Sequence, residues 1–282
     1  MKIATQTFGL SKEFGADLEG TIRKLYDNGF RAIEPFILFR EKQGKLPKNL
    51  WAYDTLAAAW KTMRELGMTI PSVHIGVGFG WLSMPVEKIA KNIRMLHMRY
   101  GIRDFIVSGP FGTPAQARHW ASLARRISDA VTPNGCRILY HNHDDEFHQI
   151  RRQGTTTELM ELFLEKTGPD VLLQLDVGWA GIAGDERKLV ERYAGRIASL
   201  HLKDFYPAYR SASYTRKNMP TEAFAPVGSG AIAIKEILSR KGCLSNLGDI
   251  LIIDQDKSRG EMLDALKTGR DNICSMIGAK EQ

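Results

Sequence analysis

Apolar residues fall in short blocks along this chain, and the blocks alternate between two rhythms. Runs of four to seven mostly apolar residues read as strands buried on both faces: Lys2–Phe8, Arg31–Phe36, Thr69–Ile75, Asp104–Ser108, Arg137–His143, Val171–Val177, Ile197–Lys203 and Asp249–Asp254. Between them lie amphipathic stretches with helical spacing: Ser11–Asn28, Trp51–Leu66, Val86–Tyr100, Pro114–Val131, Thr156–Lys166, Glu186–Tyr193, Ile232–Arg240 and Glu261–Ile277. Gly29, Gly67 and Gly101 stop the first three helices, and Thr155 or Thr156 is placed to cap the fifth. Eight strand–helix alternations in one chain of 282 residues predict a (β/α)8 barrel. A doubly wound open sheet is the competitor. The turn after the first strand, Phe8-Gly9-Leu10, lacks the glycine fingerprint of a dinucleotide-binding version of that fold.

No linker or low-complexity tract divides the chain, so residues 1–282 read as one barrel domain. Its one long connection, Phe205–Pro226, follows the seventh strand and carries Tyr206, Tyr209, Arg210, Tyr214, Arg216, Lys217 and Phe224. A loop of that length in a compact domain is usually functional or disordered, and a variable excursion is the alternative to a lid. Here it reads as a lid with aromatic and basic contacts.

Composition narrows the function. The chain is 43% hydrophobic and 25% charged, which is ordinary for a globular protein. No run approaches the roughly 20 apolar residues of a membrane span, and the first residues turn polar too early for a signal peptide. Cys136, Cys243 and Cys274 are scattered without metal spacing, which points to a reducing, cytoplasmic setting. The net charge of +7 is dispersed over many helices and loops. Nucleic acid is therefore not the expected partner, whereas a negatively charged substrate is compatible.

In a barrel, the chemistry sits at the C-terminal ends of the strands. Read in order, those ends give Glu34, His74, then His141 and His143 in Tyr140-His141-Asn142-His143, then Asp176 in Leu175-Asp176-Val177-Gly178-Trp179. The seventh gives His201 and Lys203 in His201-Leu202-Lys203-Asp204, and the eighth Asp254 in Ile253-Asp254-Gln255-Asp256. Each alone has an ordinary explanation: a capped turn, a core histidine, a surface ion pair. Strands five to eight are neighbours, however, and all four end in metal-competent groups. Two imidazoles and two carboxylates suit one divalent ion, Mn, Co, Zn or Mg, with positions left for substrate oxygens.

These motifs, with Ala180–Asp185 and Pro226-Val227-Gly228-Ser229-Gly230, resemble the xylose-isomerase-like TIM-barrel superfamily over nearly the whole chain. That group includes sugar phosphate isomerases and epimerases and endonuclease-IV-like proteins. The resemblance implies one divalent metal held by Glu, Asp, His and Glu. Asp176 and His201 match the middle pair, His141 stands where many relatives have the first Glu, and Asp254 stands for the last Glu. The resemblance further implies proton transfer on a small carbohydrate through an enediolate, with His143, His141, Asp254 and Lys203 as catalytic candidates. Glu34, His74, Glu146, Trp179 and Lys203 are candidates for substrate contacts, with Phe36 and Trp81 as apolar walls. Gly228-Ser229-Gly230 reads as a turn closing the barrel in preference to a phosphate site. The same site could serve a dehydratase or lyase, since His-Leu-Lys-Asp also resembles inosose dehydratases. An abasic-site nuclease and a non-catalytic sugar-binding barrel are the remaining readings. Barrels of this kind are often homo-oligomers.

Overall fold

The computed structural model describes residues 1–278 except 41, 43, 46, 47, 77–83, 110, 153 and 212. Eight parallel staves form the sheet: β1 (Lys2–Gln6), β2 (Ala32–Glu34, resuming as Phe36–Ile37), β3 (Ser72–Ile75), β4 (Asp104–Val107), β5 (Arg137–His141), β6 (Val171–Asp176), β7 (Ile197–Leu202) and β8 (Ile250–Ile253). Pro35 has no N–H to give the ladder and splits β2 in two. The first piece pairs with β1 and the second with β3, so the sheet closes on itself.

Helices cover the outside: α1 (Ser11–Ala16), α2 (Leu18–Asp27), α3 (Tyr53–Glu65), α4 (Val86–Tyr100), α5 (Pro114–Val131), α6 (Leu159–Thr167), α7 (Val177–Ala183), α8 (Glu186–Arg192), α9 (Ile234–Ser239) and α10 (Met262–Ile277). Their apolar faces and the outward faces of the strands form one continuous core, with Trp51, Phe105, Phe163 and Leu173 fully buried. No helix among the described residues is long and apolar enough to cross a membrane.

The inward faces explain how the site is positioned. Side chains alternate along a strand, so residues two apart share a face. Ala4, Ala32 and Ile252 form one small interior cluster, and Ile106, Leu139 and Ala198, with Leu172 against them, form another. Two residues further on, the same inward rows carry Gln6, Glu34, His141, Gln174 and Asp254. Apolar layers thus floor the barrel, and polar side chains fill its C-terminal mouth.

Three predicted elements differ. The first helix, expected over Ser11–Asn28, is broken at Asp17, whose extended backbone ends α1 and whose side chain accepts the Gly20 N–H to cap α2. The fifth helix starts at Leu159, not Thr156, because the β-branched Thr155–Glu158 segment pairs antiparallel with Gln149–Arg152. The cap position falls on Glu158 in place of Thr155 or Thr156. The Asp176–Asp185 stretch also contains α7, where helix was not expected. Gly178 and Gly181 lower its helix propensity, yet a Cβ on Gly178 would lie 2.8 Å from the backbone oxygen of Lys203. Only glycine lets this helix pack so closely on the end of β7.

Candidate active site

The polar mouth is a layered network. At its base lies Glu34, fully buried. Its Oε2 is 2.6 Å from His201 Nε2 and 3.2 Å from His74 Nε2, while Oε1 accepts from Ser72 Oγ and, at 2.8 Å, from Gln174 Nε2. Gln174 Oε1 in turn lies 2.7 Å from His74 Nε2 and 3.2 Å from His141 Nδ1. The three imidazoles of His74, His141 and His201 pack with ring centroids 4.8–5.2 Å apart.

Above this base stand the carboxylates. Register places His201 opposite Asp176, and His201 Nδ1 is 3.0 Å from Asp254 Oδ2. Asp176 caps α7 by accepting the Trp179 N–H at 2.9 Å through Oδ1. Capping therefore does not compete with its role in the site, because Oδ2 points elsewhere. Lys203 Nζ sits 3.2 Å from Asp176, 3.0 Å from Asp254 and 2.7 Å from Asp256. Asn142 fixes the strand ends: it accepts the Asp176 N–H at 2.9 Å and donates to the Asp176 carbonyl at 3.2 Å.

Electrostatics follow from burial and neighbours. Burial alone would push Glu34 up, but His201 and His74 hold it well below the usual carboxylate range. Burial would likewise lower His201, yet Glu34 and Asp254 raise it to about 10. His141 is driven far below an ordinary histidine, first by burial and then by His201, His74 and His143, so it is neutral at pH 7. Burial opposes the charge on Lys203, and its three aspartates more than restore it. Burial raises Asp176 despite Lys203, and pushes Asp256 to about 6.

These groups fit a divalent cation. One ligand atom each from His141, Asp176, His201 and Asp254 lies within 4.8 Å of the others, and His74, His141 and His201 make an overlapping set. Asp254 Oδ1 is buried without a hydrogen-bond partner, and buried Asp176 Oδ2 has only the Lys203 ammonium, at 3.2 Å. With Glu34, Asp176, Asp254 and Asp256 ionised, Lys203 and a protonated His201 leave two negative charges uncompensated. Glu34 also accepts from one nitrogen of His201, which leaves the other free to bind metal when His201 is neutral.

The cavity over this network holds about 460 Å³ and is lined by His74, His141, His143, Lys203, Asp254 and Asp256, with Phe36 and Trp179 as apolar walls. His143 lies just beyond β5, its ring 5.1 Å from that of His141, and its buried Nδ1 makes no hydrogen bond but stands 3.9 Å from Glu146 Oε1. Two residues named as substrate contacts are placed elsewhere. Glu34 is sealed beneath the imidazoles. Glu146 is fully buried beside the cavity, accepting from the Tyr140 hydroxyl at 2.8 Å and the His143 N–H at 3.0 Å. Trp81 lies outside the described residues.

Asp204 is not the partner of Lys203. It turns away and accepts the N–H groups of Phe205, Gly228, Gly230 and Ile232 at 2.9–3.0 Å. The Gly228–Gly230 turn is thus filled by a carboxylate of the chain itself. The long connection starts and ends as a two-residue ribbon, Asp204–Phe205 on Phe224–Ala225, and sends Arg216, Met219 and Phe224 to the cavity. Sequence reasoning missed Ser72, Gln174 and Asp256. Gln174 and Asp256 each stand two residues from a named ligand, and Ser72 two residues from His74, so the same alternation could have found them.

The chain belongs to the xylose isomerase-like TIM barrel family, whose model matches residues 22–240. Solved structures with the same fold include a sugar phosphate isomerase/epimerase from Parabacteroides distasonis, 20% identical, covering 99% of this chain and 95% of that one at a TM-score of 0.74. Another is a probable 3-DHS dehydratase from Bacillus anthracis, 13% identical, covering 97% and 98% with a TM-score of 0.65. A third, a xylose isomerase-like barrel from Mycobacterium smegmatis in complex with magnesium, is 13% identical and covers 98% and 96% with a TM-score of 0.68. No curated protein matches the sequence.

Proposed function

We propose that this protein is a metal-dependent isomerase or epimerase of a small keto-sugar or related polyol. The observation that carries the reading is the convergence of His141, Asp176, His201 and Asp254 on one point beneath a sugar-sized cavity. A divalent ion held there supplies electrophilic polarisation of a substrate carbonyl and its neighbouring hydroxyl. The residues around it do the rest. His141, neutral and inside both donor sets, serves as a ligand. His143, in neither set but lining the cavity, takes the proton from the carbon beside the carbonyl, while its buried Nδ1 faces Glu146 Oε1 at 3.9 Å. The resulting enediolate gains stabilisation from the Lys203 ammonium. Returning the proton to the adjacent carbon isomerises; returning it to the opposite face of the same carbon epimerises. Trp179 gives the sugar an apolar wall.

Elimination is the second reading, supported by the likeness to the probable dehydratase. The same proton abstraction, followed by loss of a β-hydroxyl as water, needs an acid near the leaving group. Asp256, raised by burial to about 6, lines the cavity and can carry that proton.

NMR of a keto-sugar panel in D2O with the Mn2+-loaded protein tests both. Deuterium exchange with the carbon skeleton retained supports isomerisation, and release of water with a new double bond supports elimination. Exchange in no substrate rejects both. His141→Ala is expected to lose the metal, whereas His143→Ala keeps it and loses exchange.

A further inference from the structure

The charge of the cavity is uneven. Its depth is anionic on balance: Lys203, whose ammonium is already shared by three aspartates, and a protonated His201 stand against four carboxylates. Its mouth is cationic. Arg216 reaches it from the long connection and Lys257 from the segment after β8. Arg216 is poorly matched by protein anions: its Nη2 stands 4.0 Å from Asp145 Oδ2, an oxygen also 3.6 Å from Lys217 Nζ, and its Nε is buried without a partner. The Asp144 carboxylate accepts the Arg216 backbone N–H at 3.1 Å. Lys257 has no carboxylate within 4.0 Å among the described residues. Its Nζ donates to the Met219 carbonyl at 3.4 Å and stands 5.7 Å from the centroid of the Phe224 ring. Lys257 touches the carbonyl of Met219, three residues after Arg216, so both cations flank one stretch of the mouth.

We propose that the substrate is acidic: a polyhydroxy or keto compound whose terminal carboxylate or phosphate is received by Arg216 and Lys257. Its reacting oxygens then point down toward His141 and Asp254. Guanidinium and ammonium groups lacking full protein partners bind oxyanions through short charge-assisted hydrogen bonds, and the overall charge of +7 favours the approach of an anion. This deepens the functional reading in naming a substrate class and rests on it for the orientation of the reacting end. The anion subsite itself needs no metal.

Isothermal titration calorimetry on the full chain, once loaded with Mn2+ and once treated with EDTA, provides the test. The probes are D-xylonate for a carboxylate, D-ribose 5-phosphate for a phosphate and D-xylose as the neutral control. At least one anion is expected to bind tenfold or more tighter than xylose, and the tighter one identifies the group. Arg216→Ala and Lys257→Met should each weaken that anion by about tenfold and leave xylose within about twofold. Arg216→Lys and Lys257→Arg, which keep the charge, should recover most of the affinity. They also serve as the check should an uncharged variant fail to fold. Equal affinity for xylose and both anions, no anion binding up to about 10 mM, or unchanged anion affinity in both uncharged variants overturns the proposal. Failure of the functional reading looks different: no Mn2+ is retained, while anion discrimination persists in the EDTA-treated protein.

Discussion

Replacing Glu34 by Gln tests the base of the site. The substitution keeps the volume and one acceptor oxygen but removes the charge that sits 2.6 Å from His201 and 3.2 Å from His74. His201 keeps its proton up to about 10 against an ordinary 6.5, through Glu34 and Asp254 and against the cost of burial. A shift of that size corresponds to roughly 5 kcal/mol of preference for the protonated form. Dividing it between two carboxylates assigns Glu34 about 2 kcal/mol. The depressed Glu34 describes the same pair and is counted once. The sign is fixed: folded His201 holds its proton to higher pH than the unfolded chain. Its contribution to stability is therefore complete below about 6.5 and disappears as pH climbs through about 10. Urea unfolding of EDTA-treated wild type and Glu34→Gln at several pH values reads this out. The variant should be less stable by about 2 kcal/mol at pH 7, with the gap closing toward pH 10. Equal stability at pH 7, or a gap that widens with pH, would refute a Glu34–His201 pair as the support of the site.

Three other substitutions separate the remaining roles. Lys203→Met strands Asp176, Asp254 and Asp256 without their shared cation and should cost roughly 3 kcal/mol in EDTA. Saturating Mn2+ should recover part of that loss in thermal melts, and a variant as stable as wild type would count against the cluster. Asp256→Asn leaves Lys203 only Asp176 and Asp254, so its ammonium presses harder on two proposed ligands. Mn2+ affinity by calorimetry should fall about tenfold, and unchanged affinity would exclude that coupling. Asp204→Ala orphans four backbone N–H groups. It should destabilise the protein by about 4 kcal/mol, while Asp204→Asn, which keeps acceptors, should lose less in the same melts.

The barrel was legible because parallel strands covered on both sides must be short and apolar, and because each is followed by a helix-period segment. The convergent groups were legible for a related reason. On a strand whose inward row is apolar, a polar residue two positions later can only stand in the mouth, as in Leu139 to His141 or Ile252 to Asp254. What the pattern could not give was pairing over long separations. Glu34 meets Ser72, His74, Gln174 and His201 only after closure, so it read as a substrate contact and not as the base of the site. Local propensity misled at Val177–Ala183, where glycine permits a helix against Lys203, and at Thr155–Glu158, where β-branched residues choose strand over cap.

Charge gives the departures from the family pattern a coherent meaning. Histidine at 141 in place of the expected Glu removes one negative charge, and its neutrality is enforced by burial and by three neighbouring imidazoles. Asp254 is a shorter arm than Glu, and its oxygens are divided between His201, Lys203 and an unpartnered position. Asp256, also within reach of Lys203 and lining the same cavity, adds a carboxylate. Lys203 cancels one charge and His201 another. That balance of two negative charges belongs to the metal-free site and becomes three once His201 gives up its proton, so attraction for a divalent ion would come from a second layer of ionisable groups as well as from the ligands. Such a site has a built-in competitor: until an ion arrives, the Lys203 ammonium and the His201 proton occupy the same oxygens. An ion entering the proposed site would have to displace both contacts and release the proton, so the second layer, more than the number of ligands, would set how tightly that site holds it.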